Sequence, residues 1–246
     1  MAHVHRNISW SPPLILAIDN STMYGNVAMT SADGLLAEHT LLSRLTHSKR
    51  LLTSLENILQ ESALDWHQLD ALAVCLGPGS FTGLRIGLAT IKGIAMATGL
   101  PLIGISSLDG LANQLPFARQ QICTILDARK HEIYAAFYES NDSGEVQRTS
   151  DYLVMPPEEL IAAIDCPTIF VGDGVNVYAD LLKESLGARA LFAPEHIIFP
   201  RAATIGKLAL TQYQQKQFLD PASAVPLYIR ASDAEIQLKK KRHINI

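Results

Sequence analysis

The chain is short of the residues that most often announce a chemistry. It has only 3 cysteines, Cys75, Cys123 and Cys166, in 246 residues. There is no Cys-x-x-Cys pair and no Cys/His cluster, which excludes a zinc site of ordinary spacing. The odd number and the apolar surroundings of the thiols predict free, buried cysteines in a reducing compartment, not a disulfide framework. No apolar run reaches the roughly 20 residues that span a bilayer. The first residues, with His3, His5 and Arg6 before Pro12-Pro13, lack the apolar centre of a secretory signal. Residues 1–13 are therefore expected to form a loose leader, and the cytoplasm is the expected location. Charged residues are only 18% against 48% hydrophobic, which excludes a disordered chain and allows a sizeable core. A net charge of −4 excludes a chain that is basic throughout. The charge is uneven, however: Lys239, Lys240, Lys241 and Arg242 add four positive charges, so the rest of the chain sums to −8. Residues 231–246 thus form a basic tail, either a solvated end or a contact for nucleic acid or a partner.

The most informative stretch is residues 71–97, ALAVCLGPGSFTGLRIGLATIKGIAMA. An apolar run from Ala71 to Leu76 reads as a strand. It meets a turn at Gly77-Pro78-Gly79-Ser80, where glycine permits backbone angles closed to other residues. A helix follows, with Ser80 or Thr82 as its cap. Leu84, Leu88, Ile91 and Ala95 share one face of that helix. Gly83, Gly87, Ala89 and Gly93 are small enough to let another backbone come close. Three phosphate or nucleophile motifs fail here. The glycines do not complete G-x-G-x-x-G, no lysine completes a Walker loop, and adjacent Gly79-Ser80 do not make G-x-S-x-G. What remains is a tightly packed strand-turn-helix or an anion cradle at a helix start.

Along the chain, Leu14–Ile18, Asn26–Thr30 and Gly34–Thr40 read as strands, with Asp33-Gly34 a hairpin signal between the last two. A helix over 47–62 carries Leu51, Leu55, Ile58 and Leu59 as one stripe, with Lys49, Arg50 and Glu56 away from it. Leu102–Ile105 is a fifth strand. In the second half, strands over Gln121–Leu126 and Glu132–Glu139 flank a turn at Asp127-Ala128-Arg129-Lys130. A strand near Tyr152–Met155 and a helix opening at Pro156-Pro157-Glu158-Glu159 follow. Thr168–Val171 is a strand, Gly172-Asp173-Gly174 a turn into a helix ending at Leu186, and 201–217 a last helix, able to pack back on the first half. No sequence repeat is present; the two halves share only an order of elements.

GPGSFTGLRIGLATIKGIA followed by LPLIGISSLDGLA closely resembles the TsaB (YeaZ) family, bacterial partners of the threonylcarbamoyl-transferase TsaD. LAIDNST, HSKRLL, LDARKHEIYAAFY and PLYIR occur in the family's order, and the resemblance runs from Ile15 to about Arg230. It implies an α/β, actin/sugar-kinase/Hsp70-like (ASKHA) fold of two lobes, each a mixed sheet flanked by helices. The expected boundaries are 14–106 for the first lobe and 107–230 for the second.

In this fold three loops hold a nucleotide. The first is Asp19-Asn20-Ser21-Thr22, where Asp19 could orient metal-bound water and Ser21 and Thr22 could touch phosphate; it is equally an ordinary capped turn. The second loop corresponds to residues 127–130 and has no glycine. The third, with Gly172 and Gly174, could lie near an adenine or be a plain strand-to-helix turn. The resemblance places two metal-binding histidines of TsaD at Ser107 and Leu111 here, and neither replaces imidazole. His39, His47, His67, His131 and His196 are scattered. The resemblance therefore implies a scaffold subunit without chemistry of its own. It would work with TsaD and the ATPase TsaE in transferring threonylcarbamoyl to the adenosine beside the anticodon of tRNA. No cofactor or metal site is expected in this chain beyond a weak adenine nucleotide with Mg at the assembled complex. Family members pair through first-lobe helices, so Leu51, Leu55 and Ile58 on one helix and Arg85, Ile86 and Lys92 on the other are the expected partner interface. A homodimer is expected when TsaD is absent, and tRNA is contacted indirectly or through the tail. The competing readings are an ASKHA-fold ATPase or small-molecule kinase using Asp19, and a metallopeptidase-like protein.

Overall fold

The structure, a computed structural model, describes residues 11–42 and 47–229. The first half runs β1 (Ile15–Asp19), β2 (Tyr24–Ser31), β3 (Gly34–Leu42), α1 (His47–Glu61), β4 (Ala71–Gly77), α2 (Phe81–Thr98) and β5 (Leu102–Ser106). A short α3 (Ser107–Ala112) leads to β6 (Gln121–Arg129), β7 (Glu132–Ser140), β8 (Val146–Arg148) and β9 (Leu153–Met155). Then come α4 (Pro157–Ala162), β10 (Thr168–Val171), α5 (Val175–Leu186), β11 (Ala190–Phe192) and α6 (Ala202–Gln214). The sheets are ordered β3-β2-β1-β4-β5 and β11-β10-β6-β7-β8, with β9 also paired to β7. β1 is antiparallel to β2 and parallel to β4. β6 is likewise antiparallel to β7 and parallel to β10. The second sheet thus repeats the connectivity of the first. Parallel neighbours need crossovers: α1 lies in the one from β1 to β4 and α4 in the one from β6 to β10, while α2 joins β4 to β5 and α5 joins β10 to β11. Two mixed sheets flanked by helices make the expected ASKHA-like α/β plan.

β1 is buried along its whole length, as a strand covered on both faces must be. On one face Leu16, Ile18, Leu72 and Val74 meet Leu51, Leu55 and Ile58 of α1 and Leu88, Ile91 and Ala95 of α2. On the other, Ile15, Ala17, Ala71 and Ala73 meet Ile205 and Ala209 of α6. Alanines on that face let α6 lie close. At Gly206 an added Cβ would come within 2.4 Å of the Thr30 hydroxyl. The last helix therefore packs on the first sheet. The second sheet is covered by α4 and α5 through Leu160, Tyr178 and Leu182. Leu108, Leu111 and Ala112 of α3 cover its other face.

Three local expectations need correction. Arg50 does not face water: it is 2% exposed, and its guanidinium donates to the carbonyl of Met23 (2.6 Å) and to Asn20 Oδ1 (2.9 Å). Acceptors in the β1–β2 turn draw the charge inward. The turn placed at 127–130 lies two residues later, because β6 continues to Arg129 and the chain reverses at Lys130-His131. Cys166 is half-buried, whereas Cys75 and Cys123 are buried; all three are free thiols.

Leu55 is 2% exposed and lies in the shared core of α1, α2 and the first sheet. Leu55→Glu would bury an unpaired carboxylate there, with a loss of about 3–5 kcal/mol. It is expected to unfold the chain or lower its urea midpoint sharply. Leu52→Glu, on the exposed face of the same helix, is expected to leave that midpoint unchanged within error.

Candidate functional site

A cleft of about 720 Å³ opens between the lobes where β1, β4, β6 and β10 end. Ligands of open α/β sheets bind at this end of the strands. Its walls include Ser21 and Thr22 from the first turn, Ser80, Phe81 and Arg85 from the start of α2, and Asp127, Arg129, Lys130 and Asp173 from the second lobe. Leu227, Tyr228 and Ile229 close one side.

The first turn is held by the glycine segment. A Cβ on Gly79 would sit 2.3 Å from the Ser21 carbonyl oxygen, and one on Gly83 would sit 2.1 Å from that of Asn20. Only bare backbone fits at either position. The N–H of Ser80 donates to the Ser21 carbonyl at 2.6 Å. Ser80 is also the N-cap of α2, with its Oγ accepting from Gly83 N–H at 3.3 Å. Asn20 Nδ2 donates to the Gly83 carbonyl at 3.0 Å. The segment packs tightly against the first turn, and the amides of Ser80 and Gly83 already have partners. Ala89 and Gly93 are not part of this approach: both are exposed, and nothing lies within 4 Å of a Cβ at Gly93.

Asp19 sits behind the turn. It is 0% exposed, and its Oδ1 accepts from the N–H and Oγ–H of Ser21, both at 2.9 Å. Burial pushes its pKa up, opposed by hydrogen bonds from the Cys75 thiol and Ser21. Ser21 and Thr22 reach the cleft wall, while Asp19 does not. Its Oδ1 is taken by its own loop, its buried Oδ2 has no hydrogen-bond partner, and neither reaches the cleft wall where a hydrated metal ion would sit. Gly172 and Gly174 also serve the fold. A Cβ at Gly172 would lie 2.0 Å from the Ile125 carbonyl oxygen, and Gly174 N–H donates to that oxygen at 3.1 Å. The side chain of Asp173 between them lines the cleft and accepts from Asp127 N–H at 3.1 Å. Burial raises the pKa of Asp173 as well.

The hairpin between β6 and β7 carries a feature that no glycine signal announced. Arg129, Lys130 and His131 have φ of 63°, 55° and 60°. Three consecutive side-chain-bearing residues occupy the left-handed region, at roughly 1–2 kcal/mol each. A type I′ reversal requires this conformation at its two central residues, Lys130 and His131, where Asn-Gly would meet it more cheaply; Arg129 adopts it at the end of β6.

The two positions at which the resemblance sets metal-binding histidines of TsaD, Ser107 and Leu111, are closed. Ser107 is buried, and its Oγ donates to the Pro78 carbonyl at 2.5 Å. Leu111 is 0% exposed within the core beneath the second sheet. Asp109 points elsewhere, accepting from Tyr138 Oη (2.8 Å) and Tyr152 Oη (2.6 Å). His39 and His131 lie against Glu61 and Glu158. Among the described residues no group of three or more His, Cys, Asp or Glu is placed to hold a metal.

The interface expectation divides. Leu51, Leu55 and Ile58 are 1%, 2% and 0% exposed and belong to the core of this chain, so they have no surface left for a partner. Arg85 is exposed, but it stacks on Phe81 (3.8 Å from the ring centroid) and donates to Tyr228 Oη. Lys92 Nζ donates to the carbonyls of Ala222 and Ala224. These two residues hold a C-terminal strap over residues 218–229 along α2. The strap, which sequence reading missed, is also fixed by Leu219 N–H to the Leu102 carbonyl and Leu227 N–H to that of Leu76. Ile86 is half-buried. Outward from it lie Ala89, Gly93 and Ala97, with Met96 at 71% and Leu52 of α1 at 49% exposure. Lys239–Arg242 and the first ten residues lie outside the described residues.

A carboxyl whose pKa is raised by burial stabilises the fold while protonated, below its ordinary 3.8, and loses that contribution as pH rises through the folded value. Asp19→Asn keeps an Oδ1 acceptor and carries no charge. Its stability relative to the native chain is therefore expected to improve as pH rises above the ordinary value of 3.8 and to level off once the folded carboxyl has ionised. Urea midpoints from about pH 4 to about pH 7 check it; a constant difference would mean that Asp19 does not titrate inside this window.

The chain matches the family described as "TsaD: tRNA N6-adenosine threonylcarbamoyltransferase" over residues 40–238. It is 30% identical to the tRNA threonylcarbamoyladenosine biosynthesis protein TsaB of Escherichia coli, covering 92% of this chain and 99% of that protein. It is 32% identical to TsaB of Haemophilus influenzae, over 88% of this chain and 93% of the relative. The solved structure "YeaZ from Pseudomonas aeruginosa" superposes with a TM-score of 0.76 at 27% identity, covering 89% of this chain and all of that one. Motif order, duplicated sheet plan, sequence and superposition agree, and the chain belongs to the TsaB (YeaZ) family.

Proposed function

We propose that the protein takes part in tRNA threonylcarbamoyladenosine biosynthesis as a scaffold and activating subunit. It acts with a TsaD partner, which performs the transfer, and with the ATPase TsaE. The observation that carries this reading is the pairing of a filled site with an open flank. Ser107 is bonded to a carbonyl, Leu111 is core, and Asp19 is sealed behind its turn. Interactions that stabilise a charged transition state need donors or cations aimed at the reacting group. These side chains are aimed at their own fold.

The docking surface is the outward stripe of α2, Ala89, Gly93 and Ala97, bordered by Met96 and by Leu52 of α1. Small residues at four-residue spacing let a partner helix approach closely, and exposed Met96 and Leu52 supply apolar area. A two-fold contact through the same stripe gives a homodimer when the partner is absent. Adenine nucleotide with Mg belongs to the assembled complex in this reading. No helix among the described residues is long and apolar enough to cross a membrane, which suits a cytoplasmic assembly. The cleft itself favours one competing reading, a small-molecule ATPase or kinase. Magnesium-dependent ATP turnover by the isolated chain would establish that reading instead.

Gly93→Arg is expected to abolish co-purification with a TsaD-like partner while leaving the thermal midpoint unchanged, because a side chain at Gly93 meets nothing in its own chain. In a reconstituted tRNA-modification assay, omitting the chain should remove activity and Asp19→Asn should retain it. Loss of modification on Asp19→Asn with normal partner binding would reject the scaffold reading.

A further inference from the structure

The cleft carries its charges in layers. Asp127, with a side chain 16% exposed, and half-buried Asp173 line its inner part. Arg129, 87% exposed and paired with Asp127 at 3.2 Å, stands outside them with Lys130 and Arg85. The cations come from both lobes, Arg85 from α2 and the other two from the β6–β7 hairpin. Beside them two rings are partly exposed, Phe81 at 40%, with one face covered by Arg85, and Tyr228 at 46%, their centroids 5.9 Å apart. The Arg85 guanidinium is already stacked on Phe81, so it is held in place rather than free to wander.

We infer that this mouth binds the phosphate backbone of RNA, with Arg85, Arg129 and Lys130 on the phosphates and Phe81 and Tyr228 beside the bases. This rests on the tRNA-pathway reading above and adds a contact surface to it. Three features select a strand crossing the mouth over a single phosphate seated inside. Carboxylates at the inner wall repel an anion that enters deeply. Exposed cations on both sides suit successive phosphates, and aromatic faces beside a basic track take unpaired bases of any identity. The hairpin supplies a fourth feature. Arg129 and Lys130 stand at positive φ, where Asn would sit with less strain. The tip keeps two positive charges at the expense of backbone comfort.

That conflict gives a test in which unfolding cannot imitate the result. The full chain carrying Arg129→Asn and Lys130→Asn loses both cations and relaxes the turn. Binding to an unmodified anticodon stem-loop RNA is measured by fluorescence anisotropy over a range of salt. The expected result is a thermal midpoint equal to or above the native one, a several-fold weaker affinity, and a salt slope smaller by about one and a half. A second full-length variant, K239S/K240S/K241S/R242S, separates the mouth from the tail. Native affinity and slope in the hairpin variant, or binding lost only in the tail variant, would overturn the inference. So would ATP competing with the RNA at one site that the hairpin variant no longer has, since the mouth would then be a nucleotide site. Co-purification of the hairpin variant with a TsaD-like partner is scored in parallel. Pairing kept with RNA contact unaltered rejects the inference alone, whereas a native chain that never pairs rejects the underlying reading.

Discussion

Two backbone contacts shorter than any side chain allows hold this molecule together: Gly79 against the carbonyl of Ser21, and Gly83 against that of Asn20. They fix the first residue of α2 relative to the end of β1. The hydrogen bonds around them extend the constraint. Asn20 links Gly83 to Arg50, and so α2 to α1. Pro78 presents its carbonyl to Ser107, which anchors the start of α3 and hence the route into the second lobe. A methyl group at Gly79 or Gly83 would therefore disturb more than one turn. Both helices of the flank and the lobe junction rest on the same few atoms.

The same contacts engage two of the amides at the start of α2. A helix start binds anions when its first amides are unpartnered and point at open space. Here Ser80 N–H is taken by Ser21, and Gly83 N–H by the Ser80 hydroxyl. The carboxyl of Asp19 is turned to Ser21 in the same way. Polar groups that satisfy one another inside a loop rigidify it, but they are not available to a ligand. What stays available lies farther out, on long cationic side chains and on the outer face of α2.

Much of this was legible in the sequence, for identifiable reasons. β1, β4 and β10 are short apolar runs bounded by turn residues, and burial on both faces leaves such runs little choice. The core stripe of α2 was legible because 3.6-residue periodicity survives between its glycines. The β6–β7 tip was misplaced by two residues because Arg129, Lys130 and His131 adopt angles that their side chains disfavour, so composition gave no turn signal. The burial of Arg50, placed only as lying away from the apolar stripe, was not legible because the acceptors that draw it inward lie about thirty residues away, in the first turn. The strap over 218–229 has no periodicity at all, being held by two isolated backbone bonds and by Lys92. The interface residues could not be sorted in advance, since core and docking faces both require apolar stripes. Exposure alone separates Leu55 from Leu52.

α2 shows how one helix can hold these roles apart. Leu84, Leu88, Ile91 and Ala95 look into the core. On the adjoining side of the cylinder, Phe81, Arg85 and Lys92 grip the strap, and Phe81 and Arg85 shape the cleft mouth through Tyr228. Ala89, Gly93 and Ala97 look outward at positions no other part of the described chain needs. A partner helix on that outer stripe would lie next to the strap without displacing it, because the two occupy different sides of α2. Partner and mouth are then neighbours with separate attachments. A body arranged in this way can present a bound strand to a second protein while its own strand ends remain sealed.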